Sequence, residues 1–150
     1  MIQFNKKGQL DGLLKEYYFK GQLRTKCTYV NSQLHGLCEQ YWINGQLQSK
    51  CTYVNSQLHG LCEDYHSNGQ LRNKGIYVNG QLYGLWEHHY SNGQIWIKVT
   101  YVNGKWHGLW EYYSNGQLWE KGTYVNGKRY GLWEYYHKDG TIKKQVFYSK

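Results

Sequence analysis

The 150-residue chain has no proline, a single methionine and three phenylalanines. Without proline every residue keeps a backbone N–H, so no strand is interrupted by a missing donor. Long apolar runs are missing too. Nothing approaches the roughly 18 consecutive apolar residues of a membrane helix, and the mean hydropathy is −0.83. No apolar stretch follows Met1–Lys7. A secretory signal is therefore not expected. The expected location is cytoplasmic, where the four cysteines would be reduced. There is no Cys-x-x-Cys, no phosphate loop and no nucleic-acid motif. No loop exceeds a few residues, whereas catalytic sites gather residues on loops. These absences point away from an enzyme, and no catalytic residue or cofactor site is expected.

Glycine is abundant, with 18 residues, and aromatics make up 18%. They are ordered by internal repetition. Gly-Leu-(Trp/Cys)-Glu recurs at Gly36, Gly60, Gly84, Gly108 and Gly131, after a degenerate copy at Gly12; the spacing is 24 residues four times and then 23. Each unit carries two turn signals. One is Asn-Gly, as at Asn44-Gly45, Asn68-Gly69, Asn92-Gly93 and Asn115-Gly116. The other follows Tyr-Val, as at Asn79-Gly80, Asn103-Gly104 and Asn126-Gly127. Asn-Gly accepts the positive φ of a tight hairpin. The unit therefore reads strand, turn, strand, turn. The fold class is all-β: one elongated antiparallel meander of tandem hairpins, twisted or curled into a trough. One repeat domain over residues 1–150 is expected, with 1–10 as N-terminal cap and 141–150 as C-terminal cap strand.

A two-residue loop at Asn44-Gly45 sets Glu39 opposite Lys50; the same rule pairs Glu63 with Lys74 and Glu87 with Lys98. Three opposite charges from one assumption support that register, and a four-residue loop gives the same pairs. At the second turns Tyr29, Tyr53, Tyr77 and Tyr101 face Leu34, Leu58, Leu82 and Trp106. Alternation then defines an aromatic face (Leu71, Gly75, Tyr77, Leu82, Gly84, Trp86) and a mixed face (Leu85, Glu87, His89, Trp96, Lys98, Thr100, Val102). In the 23-residue copy, Tyr113 on the mixed face would meet Leu118 on the aromatic face, so a bulge or odd-length loop must absorb the slip.

Gly108–Leu118 followed by Lys121–Lys128 resembles the MORN repeat, in particular the variant found in bacterial YwqK-type antitoxin proteins and in giant viruses. The resemblance spans roughly residues 8–142. It implies an elongated hairpin ribbon that makes protein–protein contacts. It also raises anionic-lipid binding and toxin neutralisation, and brings no catalytic motif. Cys38 and Cys62 stand where the repeat has Trp; Ser32 and Ser56 replace the turn glycine. Serine at positive φ costs about 1 kcal/mol, so those two turns are expected to be less well formed.

Repetition separates equivalent residues by about 9.5 Å. His35, His59 and His107 cannot share a metal at that distance, and adjacent His88 and His89 point to opposite faces; no metal site is expected. Cys38 opposite Cys51 makes a disulfide geometrically conceivable, but small apolar fillers are the simpler reading of all four cysteines. Six of the seven tryptophans lie beyond residue 80. Trp96 and Trp119 fall on the mixed face, one repeat apart. With His89 and Tyr113 they are the candidate anchors of a protein partner, and Glu87 and Glu111 its rim charges. The net charge of +8 suits acidic partners, an acidic protein among them, but it is spread through the repeats, selects none of them and serves solubility equally well. An anionic membrane is also possible on that charge; nucleic acid ranks lower, because lysines alternate with glutamates. Edge strands invite oligomers or a self-assembling scaffold, which Lys143, Lys144 and Lys150 would oppose.

Overall fold

A computed structural model describes residues 3–149. It is one antiparallel sheet of twelve strands in simple sequence order. The strands are β1 (Gly12–Tyr17), β2 (Leu23–Val30), β3 (Gln33–Tyr41), β4 (Leu47–Val54), β5 (Gln57–Tyr65), β6 (Leu71–Val78), β7 (Gln81–His89), β8 (Ile95–Val102), β9 (Lys105–Ser114), β10 (Gln117–Val125), β11 (Lys128–Tyr136) and β12 (Ile142–Tyr148). The sheet is open, with β1 and β12 as its edges. Each strand packs chiefly against its neighbours, as the meander requires, and large rings reach one strand further, as Trp110 does to Trp133 at 5.3 Å.

The two turn signals build different turns. After β2, β4, β6, β8 and β10 the chain closes a two-residue hairpin with both central residues at positive φ, for instance Asn79 at 50° and Gly80 at 76°. Ser32 and Ser56 hold φ of 63° and 64° in this turn. Against the sequence expectation these turns are fully formed. The serine hydroxyls accept the N–H of Leu10 (3.0 Å) and Leu34 (3.1 Å) in the preceding repeat, which offsets the backbone strain.

The Asn-Gly-Gln turns differ from the two-residue loop assumed above. Trp42 donates its N–H to the Gln46 carbonyl and Gly45 donates to Trp42, a three-residue loop closed by Gly45 at φ 84°. Asn44 stays at negative φ, and its Oδ1 accepts the Gln46 N–H. One residue further on, Gln48 bulges out between the pairs Tyr41–Leu47 and Gln40–Ser49. The odd loop and the bulge cancel, so Glu39 does face Lys50, as Glu63 faces Lys74 and Glu87 faces Lys98. In the short copy the missing residue comes out of the loop: Asn115-Gly116 is a two-residue turn, and the bulge stays, at Trp119.

A second irregularity recurs at the repeat glycine. Beyond Tyr53–Leu58 the register of β4 on β5 jumps by two residues, so that Cys51 faces Cys62 instead of Gly60. A two-residue jump preserves the faces and changes every partner. It completes a charge ladder on the mixed face: Lys26, Glu39, Lys50, Glu63, Lys74, Glu87, Lys98, Glu111, Lys121 and Glu134 stand opposite one another on successive strands. Behind it runs the core row of Cys27, Cys38, Cys51, Cys62, Gly75, Trp86, Val99, Trp110, Gly122 and Trp133, all buried.

Burial is one-sided. Among the described residues every buried apolar side chain lies on the aromatic face, whereas Leu37, Leu61, Leu85, Leu109 and Leu132 on the mixed face are exposed. The aromatic face is thus the sheltered side. Its rings meet edge to face: Tyr77 on Trp86 at 5.1 Å, Tyr124 on Trp133 at 5.1 Å and Trp106 on Tyr124 at 4.9 Å. Arg129 covers the end of this stack, 4.1 Å from the Trp133 ring and bonded to Tyr135 and Glu120.

The cysteines are neither reduced nor joined as Cys38–Cys51. The disulfides are Cys27–Cys38 and Cys51–Cys62, each across one two-residue hairpin. The register jump explains the difference, because it moves each even-strand cysteine opposite the odd-strand one.

Candidate functional site

The six residues singled out as a partner site separate into two groups. Glu87, His89, Glu111 and Tyr113 stay together on the mixed face. Tyr113 donates to Glu111 Oε2 at 2.8 Å, and His89 Nε2 lies 3.7 Å from Glu87. Burial, helped by the bond to Glu111 and the charge of Glu87, pushes the Tyr113 phenol up to about 12. The same Tyr–Glu bond recurs at Tyr41–Glu39, Tyr65–Glu63 and Tyr136–Glu134. The Tyr–Glu pairs bond within the charge ladder, each contributing a few tenths of a kcal/mol to about 1 kcal/mol, whereas the buried His89 Nε2 has no hydrogen-bond partner among the described residues.

Trp96 and Trp119 are elsewhere. Both are bulge residues, skipped by the pairs on either side of them. A bulge re-aims its side chain. The Trp96 ring lies 6.3 Å from His88 and 6.1 Å from Tyr90, and His88 stacks on Trp86. Trp96 therefore belongs to the aromatic-face side, a correction to the alternation argument. It is 41% exposed, whereas Trp119 is half-buried.

The bulges form a row, one per repeat: Arg24, Gln48, Arg72, Trp96, Trp119 and Lys143. Beside Trp96 is an open depression of about 710 Å³ lined by His66, Arg72, Asn73, His88, Tyr90 and Trp96, among others. Its floor is tied down. His88 Nδ1 and Asn73 Oδ1 are 2.8 Å apart, Asn73 donates to Asp64, and His66 Nε2 meets the His89 carbonyl at 3.1 Å. Burial, with a smaller contribution from the neighbouring His89, lowers the His88 pKa below the ordinary imidazole value. The rim carries the exposed Arg72, Tyr90 and Trp96. Sequence reasoning missed Arg72, Tyr90 and His66, because their convergence depends on the bulge. The Asn-Gly-Gln turn was the available signal, since a three-residue loop there demands a compensating bulge.

His59 and His107 accept the N–H of Asn79 and Asn126 through Nδ1, both at 3.4 Å, which is a turn-supporting role. Asp64 is an acid on the aromatic face. Its carboxylate lies within 4.8 Å of the sulfurs of Cys51 and Cys62.

An open ribbon of tandem hairpins defines a repeat protein. Its sequence matches the MORN repeat variant in six segments, 10–31, 34–55, 58–79, 82–103, 106–126 and 129–150. The chain belongs to the MORN repeat variant family. Each matched segment is one hairpin around an Asn-Gly-Gln-type turn, from β1–β2 to β11–β12. No curated protein matches the sequence. Among solved structures it is similar to a crystal structure of a S. aureus TarM mutant in complex with Fondaparinux, alpha-GlcNAc-glycerol and UDP. The identity is 12% and the TM-score 0.41, over 71% of this chain and 20% of that one.

Proposed function

We propose that the protein is a non-enzymatic interaction module whose partner docks at the bulge row, with Trp96 as central anchor. The observation that carries this reading is a tryptophan 41% exposed at the rim of an open depression, beside an exposed tyrosine and arginine. Trp, Tyr and Arg are the residue types that dominate interface energies. Trp119 extends the row by one repeat, and Arg72 and Lys143 flank the pair with cations outside the charge ladder. An acidic protein surface is the complement. Glu87, Glu111, His89 and Tyr113 support the sheet beneath and do not reach the partner. A toxin or host defence protein is the sharper version of this reading, by resemblance to the toxin-neutralising arrays. Growth arrest on loss of this gene alone is its test.

Trp96→Ala with Trp119→Ala should weaken capture of the native partner by ten-fold or more while the circular dichroism spectrum is kept, since an interface hot spot is worth about 2 kcal/mol or more. Undiminished capture by the folded double variant overturns the site. A lipid or nucleic-acid partner is the rival on the basic residues of the same row. Binding to anionic liposomes or oligonucleotides that falls steeply with salt would favour it over a protein.

A further inference from the structure

The core row is built from pairs. Across successive hairpins the Trp86 ring covers Gly75, Trp110 faces Val99, and the Trp133 ring covers Gly122. In the first two hairpins both places are cysteine, Cys27 with Cys38 and Cys51 with Cys62. Exchange of one member alone is costly at the glycines: a Cβ at residue 75 or 122 would lie 2.2 Å from the ring that covers it. Two cysteines replace the glycine–tryptophan pair as a unit, and they do so twice in succession. The register also sets Cys38 directly opposite Cys51. Each inner sulfur therefore has a cysteine on both sides. The bonded pairs lie 4.0 and 4.1 Å apart at Cα, and Cys38 and Cys51 are direct cross-strand partners.

We infer that the four cysteines form one thiol–disulfide exchange site, in which a disulfide moves along the row between Cys27–Cys38, Cys38–Cys51 and Cys51–Cys62. A dithiol, small or protein-borne, reduces Cys27–Cys38 and is itself oxidised to a disulfide. The Cys38 thiolate, having given up its proton, attacks Sγ of Cys51. The Cys38–Cys51 bond forms as Cys51–Cys62 breaks. The electron pair leaves on the Cys62 sulfur, which takes up a proton. No net oxidation accompanies this second step, and it returns a free thiol two strands further along the sheet. All four sulfurs are buried, at 5–7% exposure, so exchange within the row competes well with attack from solvent.

Asp64 makes the two ends unequal. Its carboxylate lies within 4.8 Å of the Cys51 and Cys62 sulfurs, whereas the equivalent residue beside Cys38 is the uncharged Gln40. A nearby negative charge disfavours a thiolate, and a poorer leaving thiol slows exchange. Asp64 is thus a positioning residue that holds the second disulfide in place.

The test is a map of free thiols. Cys27→Ser leaves Cys38 unpaired beside Cys51–Cys62. After acid quenching, N-ethylmaleimide should label Cys62 as well as Cys38, and a Cys38–Cys51 peptide should be recovered. Cys62→Ser at the other end should label Cys27 as well as Cys51. Adding Asp64→Asn to Cys27→Ser should speed the appearance of the Cys62 label several-fold, while Gln40→Asn leaves it unchanged. Wild-type protein treated with one equivalent of dithiothreitol should yield all three bonded pairs, a readout that does not depend on any variant folding. Labelling confined to Cys38 in Cys27→Ser, or partially reduced wild type without a Cys38–Cys51 bond, overturns the inference.

Discussion

Gly75→Ala should be among the most damaging single-methyl additions in this chain. The new Cβ would sit 2.2 Å from two atoms of the Trp86 indole, where ordinary contact begins at 3.4 Å, so the ring would have to retreat by about 1.2 Å. It has little room to do so. Trp86 is 4% exposed, its Nε1–H donates to the Ile76 carbonyl at 3.1 Å, and Tyr77 and Tyr101 abut it edge-on at 5.1 and 6.3 Å. Overpacking alone costs about 1–3 kcal/mol. If the ring leaves instead, the lost burial approaches the roughly 3–5 kcal/mol of a large-to-small core change. A loss of about 2–4 kcal/mol corresponds to a fall of roughly 5–15 °C in Tm for a domain of this size. Thermal unfolding followed by tryptophan fluorescence measures it. The repeats supply their own rescue: Gly75→Cys with Trp86→Cys rebuilds the pair found at Cys27–Cys38, and should recover most of the loss when oxidised and give it up on reduction. A Gly75→Ala protein that melts within about 2 °C of wild type refutes the ring-over-glycine packing.

Ser56→Ala should cost about 1–2 kcal/mol, because it keeps φ at 64° and removes the acceptor of the Leu34 N–H; Ser56→Gly relieves the backbone while losing the same bond and should be nearly neutral. Urea unfolding of the two variants separates strain from hydrogen bonding. Arg129→Ala should cost about 2–4 kcal/mol, since it uncovers Trp133 and strands Glu120, and Arg129→Lys should recover less than half, because an ammonium cannot stack and fork at once. Acid should destabilise the ladder. The hydrogen bond from Lys121 holds Glu134 at about 2 against an ordinary 4.5, and Lys26 and Lys74 lower Glu39 and Glu63 likewise. A depressed carboxylate stabilises fully above its unfolded value, so Tm should fall as pH drops from about 4.5 towards 2, and Glu134→Gln should flatten that slope. A Tm independent of pH across this window would show the ladder to be without energetic effect.

The repeat period, the strand–turn alternation and three of the nine Glu–Lys pairs were legible in the sequence. A tight antiparallel turn leaves few registers, and charge is a local label that tests them. The short copy announced its own slip, because losing one residue inverts the faces. The candidate site was legible only in its tryptophans. Their direction was not, because alternation assumes an unbroken pleat and both Trp96 and Trp119 sit where it breaks.

Sequence alone thus determined that this chain is a ribbon of tandem hairpins with a charged face and an aromatic face, since periodicity and turn chemistry are properties of neighbouring residues. Tertiary structure decided three further things: which cysteines bond, which side shelters the rings, and where Trp96 points. The first depends on the two-residue jump and the last on the one-residue bulge. Those irregularities recur whether the facing core pair is Cys–Cys, Val–Trp or Gly–Trp, so they are settled by pairing and packing between strands and not by any one residue's own preference.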